Sequence, residues 1–233
     1  MSNLGFRIVM NIERPPRELL EKFKDYPTPD IADCMNRFFC VTSEIKMINE
    51  TSRLRMAGSA LTVKTRPIDN LMVHKALDMA KPGDVIVVDA SGDMNSAILG
   101  EIMVTMAMKK NLAGYLIDGC IRDSGAIKKM DFPVFARGIS PKGPYKDGPG
   151  EVNLPVSCGG IIIKPGDIIV GDEDGVVVIP PDQAEYILEK TKEKAEKGKK
   201  ILEKVKKGIP RDRSWIDKTL TEKGCEIINN LPG

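Results

Sequence analysis

At 233 residues the chain has room for one well-buried domain with helical additions and is short for two full domains. Hydrophobic residues make up 42%, charged residues 29% and the net charge is +2, so bulk charge gives no reason to expect nucleic acid or an anionic membrane as a partner. Five widely spaced cysteines (Cys34, Cys40, Cys120, Cys158, Cys225) form no C-x-x-C pair and have one histidine to assist them, which supports neither a zinc site nor a disulfide framework.

The chain opens with a short apolar run, Ile8-Val9-Met10, which Asn11 and Glu13 end before it reaches the length of a signal-peptide core. No run approaches membrane-spanning length, and with the cysteine pattern the expected compartment is the cytoplasm. Pro15-Pro16 precede a predicted helix with Leu19, Leu20 and Phe23 on one face, since a first helical turn tolerates proline. Thr28-Pro29-Asp30 open a second, in which Ile31, Cys34, Met35 and Phe38 follow helical spacing. Strand character runs between Ile45 and Thr65, and Leu71 to Ala80 reads as a helix stopped by Lys81-Pro82-Gly83. Strands follow at Val85–Val88, Gly114–Ile117, Val134–Ala136, Gly160–Ile163, Ile168–Val170 and Gly175–Ile179, with a helix from about Ile98 to Lys110 between the first two. Two near-copies, Pro82-Gly83-Asp84 and Pro165-Gly166-Asp167, each lead into a strand; a recurring turn explains them better than a duplicated half-domain. Gly138 to Gly150 has no phosphate-loop pattern and reads as a surface loop. The predicted organisation is an α/β core over residues 1–181 and a C-terminal extension over 182–233. That extension begins with a long charged helix whose lysines are interleaved with glutamates, a solvated face rather than a nucleic-acid patch.

Chemistry concentrates in Gly100-Glu101-Ile102-Met103 and Asp118-Gly119-Cys120-Ile121-Arg122-Asp123. Gly100 opens a helix, leaving the amides of Ile102 and Met103 unpaired as a seat for a carboxylate, and the second segment follows a strand, where open α/β sheets place ligands. Arg122 is suited to a two-bond grip on a carboxylate and Asp123 to a hard cation. The residues alone equally allow Arg122 and Asp123 to be one turn's salt bridge and Glu101 a residue near a helix start. His74 and Asn70 are candidates for the same pocket, with a structural histidine as the alternative. Asp172 and Asp174 read as turn residues.

Several motifs occur in order: Gly58-Ser59-Ala60-Leu61-Thr62-Val63, Asp69-Asn70 with His74, Gly83-Asp84-Val85, Gly100-Glu101, Asp118 to Asp123, Phe132-Pro133-Val134-Phe135-Ala136-Arg137-Gly138, Pro165-Gly166-Asp167 and Asp174-Gly175-Val176. Together they resemble the RraA-like family, which includes 4-hydroxy-4-methyl-2-oxoglutarate aldolases and the ribonuclease regulator RraA. The resemblance implies a single swivelling β/β/α-type domain, here with N-terminal helices and a C-terminal helical extension, in a homotrimer or dimer of trimers. It also implies a signature in which an acid, twenty residues and Arg-Asp succeed one another, matched by Glu101, Arg122 and Asp123. By that carry-over Asp123 holds a divalent metal, Mg²⁺ or Mn²⁺, and Arg122 grips the carboxylate and keto oxygen of a small 2-oxo acid. Gly100, Ile102 and Met103 hold its other end, and Glu101 orients water on the metal. The sequence departs from the aldolases at Ala126 and Gly198, where they carry acids, with Glu196 two residues out of helical phase.

The resemblance implies a retro-aldol cleavage of a 4-hydroxy-2-oxo acid to pyruvate, with oxaloacetate decarboxylation sharing the same enolate. With no histidine obviously placed for proton transfer, water on the metal is the expected base. The alternatives are a ribonuclease-binding regulator, against which the extension argues, and another metal lyase such as a sugar-acid dehydratase. A methyltransferase is set aside because no glycine-rich nucleotide loop follows a first strand.

Overall fold

The computed structural model describes residues 3–50 and 54–228. The chain begins with β1 (Phe6–Ile8), α1 (Arg17–Phe23) and α2 (Thr28–Cys34), each helix starting directly after prolines whose missing N–H costs nothing there. α2 stops short of Phe38, contrary to the helical spacing. Asn36 and Arg37 take left-handed φ values of 54° and 64°, the chain turns so that Cys40 bridges Val177, and Phe38 stays 77% exposed.

β2 (Lys46–Met47), β3 (Met56–Thr65), α3 (Leu71–Met79), β4 (Asp84–Leu99), α4 (Glu101–Lys109), β5 (Gly114–Ile121), α5 (Ser124–Ile127) and β6 (Val134–Ile139) follow. β3, β4, β5 and β6 pair in parallel, joined by helical crossovers as parallel strands require. β4 is far longer than the predicted Val85–Val88. Beyond Asp89 it stays extended through three register shifts against β5, so the following helix starts at Glu101 and not near Ile98. After β7 (Gly150–Val152) and a two-stranded sheet of β8 (Val156–Cys158) and β9 (Ile161–Ile163) come β10 (Ile168–Asp172) and β11 (Gly175–Ile179). The main sheet runs β1-β7-β3-β4-β5-β6-β2, with β10 added to β3 and β11 to β10. β3 pairs β10 along its first half and β7 along its second. A 3-10 turn leads into α6 (Ala184–Lys206), and α7 (Trp215–Glu222) follows within the C-terminal extension.

The parallel strands are buried on both faces, which is why they read as near-continuous apolar runs. Leu61, Val63, Ile86, Val88, Tyr115 and Ile117 pack under α3 and α4. Val85, Val87, Leu116 and Phe135 point the other way, towards β8 and β9. Leu20, Phe23, Ile31 and Ile187 pack on β10 and β11. The near-copies are the same turn used twice. Gly83 and Gly166 both have φ of +88°, and the following aspartate accepts from the lysine N–H three residues earlier, Asp84 from Lys81 at 2.9 Å and Asp167 from Lys164 at 2.7 Å.

The chain divides into two compact units, Met1–Lys192 and Glu193–Gly233. The first holds both sheets and α1 to α5. The second holds the last part of α6 and α7, whose apolar residues Ile201, Leu202, Val205 and Trp215 are exposed. Among the described residues no helix is long and apolar enough to cross a membrane, and the five cysteines are free.

Candidate active site

The end of β4 and the end of β5 lie side by side, and this sets the site. Gly100 has an extended backbone (φ −148°, ψ −164°) and caps α4, its carbonyl accepting from Val104 N–H at 3.2 Å. The amides of Ile102 and Met103 have no acceptor among the described residues, which leaves the positive end of the helix open. Arg122 N–H donates to Leu99 O at 3.0 Å, tying the Arg-Asp turn to the end of β4. Asp123 takes a left-handed conformation (φ 55°, ψ 33°), tolerated by aspartate more than by most residues. In it, Oδ2 accepts from Glu101 N–H at 3.1 Å and stands 3.6 Å from Arg122 Nε.

Two glycines make room for these side chains. A Cβ at Gly100 would collide with Asp123 Oδ2 and lie 2.9 Å from Arg122 Cγ; one at Gly143 would lie 2.9 Å from Arg122 Nη1. The Arg122 side chain therefore runs past two positions that have no side chain of their own.

A pocket of about 280 Å³ opens here. Seven of the expected residues line it: Asn70, His74, Gly100, Ile102, Met103, Arg122 and Asp123. Glu101 does not. Its side chain is exposed, and the contact it makes to Asp123 is through its backbone amide. Gly143, Pro144 and Lys146, from the segment read as a surface loop, complete the wall. A larger hollow of about 420 Å³ beside β2, lined by Lys46, Glu50 and Glu173 among others, has neither a helix start nor an arginine among the described residues, so the smaller pocket is the better chemical candidate.

Asp69 explains how the loop is held. It is fully buried; Oδ1 accepts from Leu71 N–H at 2.9 Å, and Oδ2 from Asp147 N–H at 2.7 Å and Gly148 N–H at 3.0 Å. Burial alone would raise its carboxyl, but these three amides and Arg66 hold it below the usual range. Tyr145 N–H donates to Ile68 O at 2.7 Å and Asn70 N–H to Tyr145 O at 3.0 Å. Lys146 is thus fixed between pinned neighbours at the start of α3.

The opposite wall carries Asn70 and His74. Asn70 Nδ2 donates to Ile98 O at 2.8 Å, which fixes the amide orientation and leaves Oδ1 buried without a partner. His74 has its pKa lowered from 6.5 by burial and then by the nearby Lys146 ammonium, against an opposing pull from Asp78. The histidine that the sequence could not place for proton transfer is therefore a neutral imidazole in the pocket wall at neutral pH.

Asp123 Oδ1 makes no hydrogen bond among the described residues, and the side chain is 42% exposed. One free carboxylate oxygen beside solvent fits a hard cation that keeps most of its waters and shares ligands with its substrate. It does not fit a closed zinc site; among the described residues no three His, Cys, Asp or Glu could hold a metal together. Asp172, as the turn reading expects, is structural: it accepts from Thr28 N–H and Oγ1 at 2.8 and 2.6 Å, from Asp174 N–H at 3.0 Å, and from Arg55. Asp118 is also outside the pocket, paired with Arg137.

The comparisons with known proteins bear on the family of the chain. The family model described as RraA-like, Aldolase/RraA, matches residues 28–178. A protein of Halalkalibacterium halodurans named "Putative 4-hydroxy-4-methyl-2-oxoglutarate aldolase" is 40% identical over 87% of this chain and 96% of its own length. One of the same name from Aromatoleum aromaticum is 44% identical over 66% of this chain and 96% of its own. Among solved structures, the RNA-processing inhibitor RraA from Thermus thermophilis superposes with a TM-score of 0.61 at 30% identity, over 66% of this chain and 92% of that one. With its ordered motifs, its mixed α/β sheet and these relatives, the chain belongs to the RraA-like family.

Proposed function

We propose that this protein is a divalent-metal-dependent carbon–carbon lyase that cleaves a 4-hydroxy-2-oxo acid to pyruvate, acting as a homo-oligomer in the cytoplasm. The observation that carries the reading is the convergence of Arg122, Asp123 and the free amides of Ile102 and Met103 on one pocket. A fold shared by enzymes and regulators cannot decide this, so the site must. The C-terminal extension does not decide it either: both the Aromatoleum relative and the Thermus regulator match 66% of this chain.

Arg122 and the open start of α4 bind the substrate carboxylate, two groups that need no reorganisation to meet an anion. Asp123 would hold Mg²⁺ or Mn²⁺, which supplies a Lewis acid for the keto oxygen. As the bond between C3 and C4 breaks, its electron pair becomes the enolate of pyruvate and the C4 hydroxyl becomes a carbonyl. Arg122 stabilises the charge that gathers on the keto oxygen, the kind of term that usually dominates such catalysis. The hydroxyl proton needs an acceptor; His74, neutral at pH 7, is the pocket group suited to take it, and Asn70 in the same wall would help to orient the substrate. Glu101, exposed at the first turn of α4, is left the role of ordering water by Asp123. Loss of CO₂ from oxaloacetate would draw on the same stabilisation.

The test is pyruvate release from a panel of 4-hydroxy-2-oxo acids and oxaloacetate, with EDTA and with Mg²⁺ or Mn²⁺ restored. Arg122→Lys keeps the charge but loses the planar grip, so kcat should fall on the order of 10² to 10³ and KM should rise. Release of pyruvate by the lysine variant at the wild-type rate, or by verified metal-free protein, overturns the mechanism. No release from any member of the panel returns the chain to the alternatives its family allows, a ribonuclease-binding regulator or a lyase of another acid, to which the departures at Ala126 and Gly198 belong.

A further inference from the structure

β1 (Phe6–Ile8) is an outermost strand of the main sheet and is exposed along its whole length, so it adds little to the core. What it holds is β7 and, through β7, the loop that walls the pocket. Phe6 lies opposite Gly150 and Ile8 opposite Val152 in a parallel pairing, and Val9 N–H extends the contact to Val152 O at 3.0 Å. Glu151, the middle residue of β7, accepts through Oε1 from Arg7 Nε at 2.6 Å and from Gly5 N–H at 3.0 Å. The bond from Arg7 first, against partial burial, and then the bond from Gly5 hold its carboxyl below the usual range. The Phe6 ring reaches the loop itself: a Cβ at Gly148 would lie 3.4 Å from Phe6 Cε2 and 3.4 Å from Leu71 Cδ2, so Phe6, the first residue of α3 and Gly148 meet at one point.

We propose that Phe6 and Arg7 are positioning residues, and that β1 clamps the exit of the 143–150 loop so that Lys146 stays in the pocket wall. The loop is held at three places. At its entrance Ser140 N–H donates to Ile121 O at 2.9 Å and Ala97 N–H to Lys142 O at 2.8 Å. In its middle Asp69 accepts from Asp147 and Gly148. At its exit is β7, three residues long and paired on one side with β3 and on the other with β1. Without β1, β7 becomes a short edge strand, the kind of element that opens at little cost. Lys146 lies between the middle and exit holds, and a chain this short has no slack to absorb movement at its end.

The test uses the full chain as wild type, Phe6→Ala, Arg7→Ala and Arg7→Lys. The two alanine variants should move the His74 imidazole midpoint upward in an NMR titration. A loosened loop admits water to the imidazole and withdraws the Lys146 ammonium, while Asp78, the other charged group acting on it, keeps its place on α3. Trypsin cleavage after Lys142 and Lys146, followed by mass spectrometry, should speed up roughly tenfold as the open loop becomes more populated. The urea midpoint should stay near wild type, and Arg7→Lys, which keeps the ion pair, should behave as wild type. Where the lyase reading holds, KM should also rise roughly tenfold with kcat changed much less, because Arg122 and Asp123 have anchors of their own. Only this last expectation rests on that reading: a wild type that releases no pyruvate removes the lyase, and the titration and the cleavage still decide the clamp. An imidazole and a loop that ignore both alanine variants overturn the proposal. A response that appears only with a matching fall in the urea midpoint also overturns it, since β1 would then be an ordinary part of the fold.

Discussion

β5 and the turn after it carry two aspartates five residues apart, each paired with an arginine, Asp118 with Arg137 of β6 and Asp123 with Arg122, and the two pairs are put to opposite uses. Asp118 shares its sheet face with Leu116, accepts from Gly159 N–H at 2.7 Å and from Arg137, and Arg137 is held in turn by Glu44. The hydrogen bonds that Arg137 donates to Asp118 and Glu44 raise the pKa of its guanidinium beyond the ordinary value. The Asp118 and Arg137 side chains are 8% and 19% exposed, whereas those of Asp123 and Arg122 are 42% and 45% exposed and 3.6 Å apart. The first pair has spent its hydrogen-bonding capacity on its own fold. The second is kept apart and open by a left-handed residue and two glycines, so its capacity is available to a ligand. Pairing and desolvation, not residue type, separate a structural ion pair from a reactive one.

Three measurements would break or sharpen this contrast. The largest effect is expected at Asp123→Asn: turnover of the preferred oxo acid should fall on the order of 10² to 10³, while the denaturation midpoint stays near wild type because the residue lies outside the core. A variant equally active, or one that is unfolded, would put Asp123 in the same class as Asp118. Asp118→Asn should do the reverse. It leaves Arg137 poorly matched in a part-buried setting and should cost about 2–3 kcal/mol in urea unfolding, with turnover per folded molecule preserved.

The smallest effect concerns His74, the one histidine in the chain, which gives a single imidazole signal in a proton titration by NMR. Its pKa is below the ordinary 6.5, through burial first and Lys146 second. The folded chain therefore binds this proton less readily than the unfolded chain, so the contribution to stability is complete above pH 6.5 and is lost as pH falls through the lowered value. Lys146→Met should move the signal's titration midpoint upward and flatten that loss. An unmoved midpoint would mean that Lys146 does not face the imidazole.

Much of this was legible because it follows from local physics. The parallel strands announce themselves as apolar runs, and the repeated Lys-Pro-Gly-Asp turn, the prolines before α1 and α2 and the Gly100 helix start each express a backbone rule. The Glu101, Arg122 and Asp123 spacing pointed to the pocket through a family resemblance and not through chemistry readable in the residues alone. The wall formed by Gly143, Pro144 and Lys146 was not legible, because its position depends on hydrogen bonds to Asp69 some 78 residues away, and a glycine-rich loop has no periodicity to reveal them. The extension of β4 to Leu99 was hidden for a similar reason: Ser91 to Asn95 is polar and turn-like in sequence, and only pairing with β5 keeps it in the sheet. α2 was overextended because helical spacing says nothing of the left-handed residues that end a helix.

Asp69 ties the pocket loop to the start of α3. Its single carboxylate joins the first amide of α3 to two amides of the loop, and a buried charge cannot lose some of those partners cheaply while keeping the others. The rim of the pocket and the first turn of α3 therefore form one cooperative opening unit, and slow hydrogen exchange should reach the amides of Leu71, Asp147 and Gly148 together. Access to the pocket, where it requires movement of this wall, is then set by the free energy of local unfolding and not by the looseness that a glycine-rich stretch suggests.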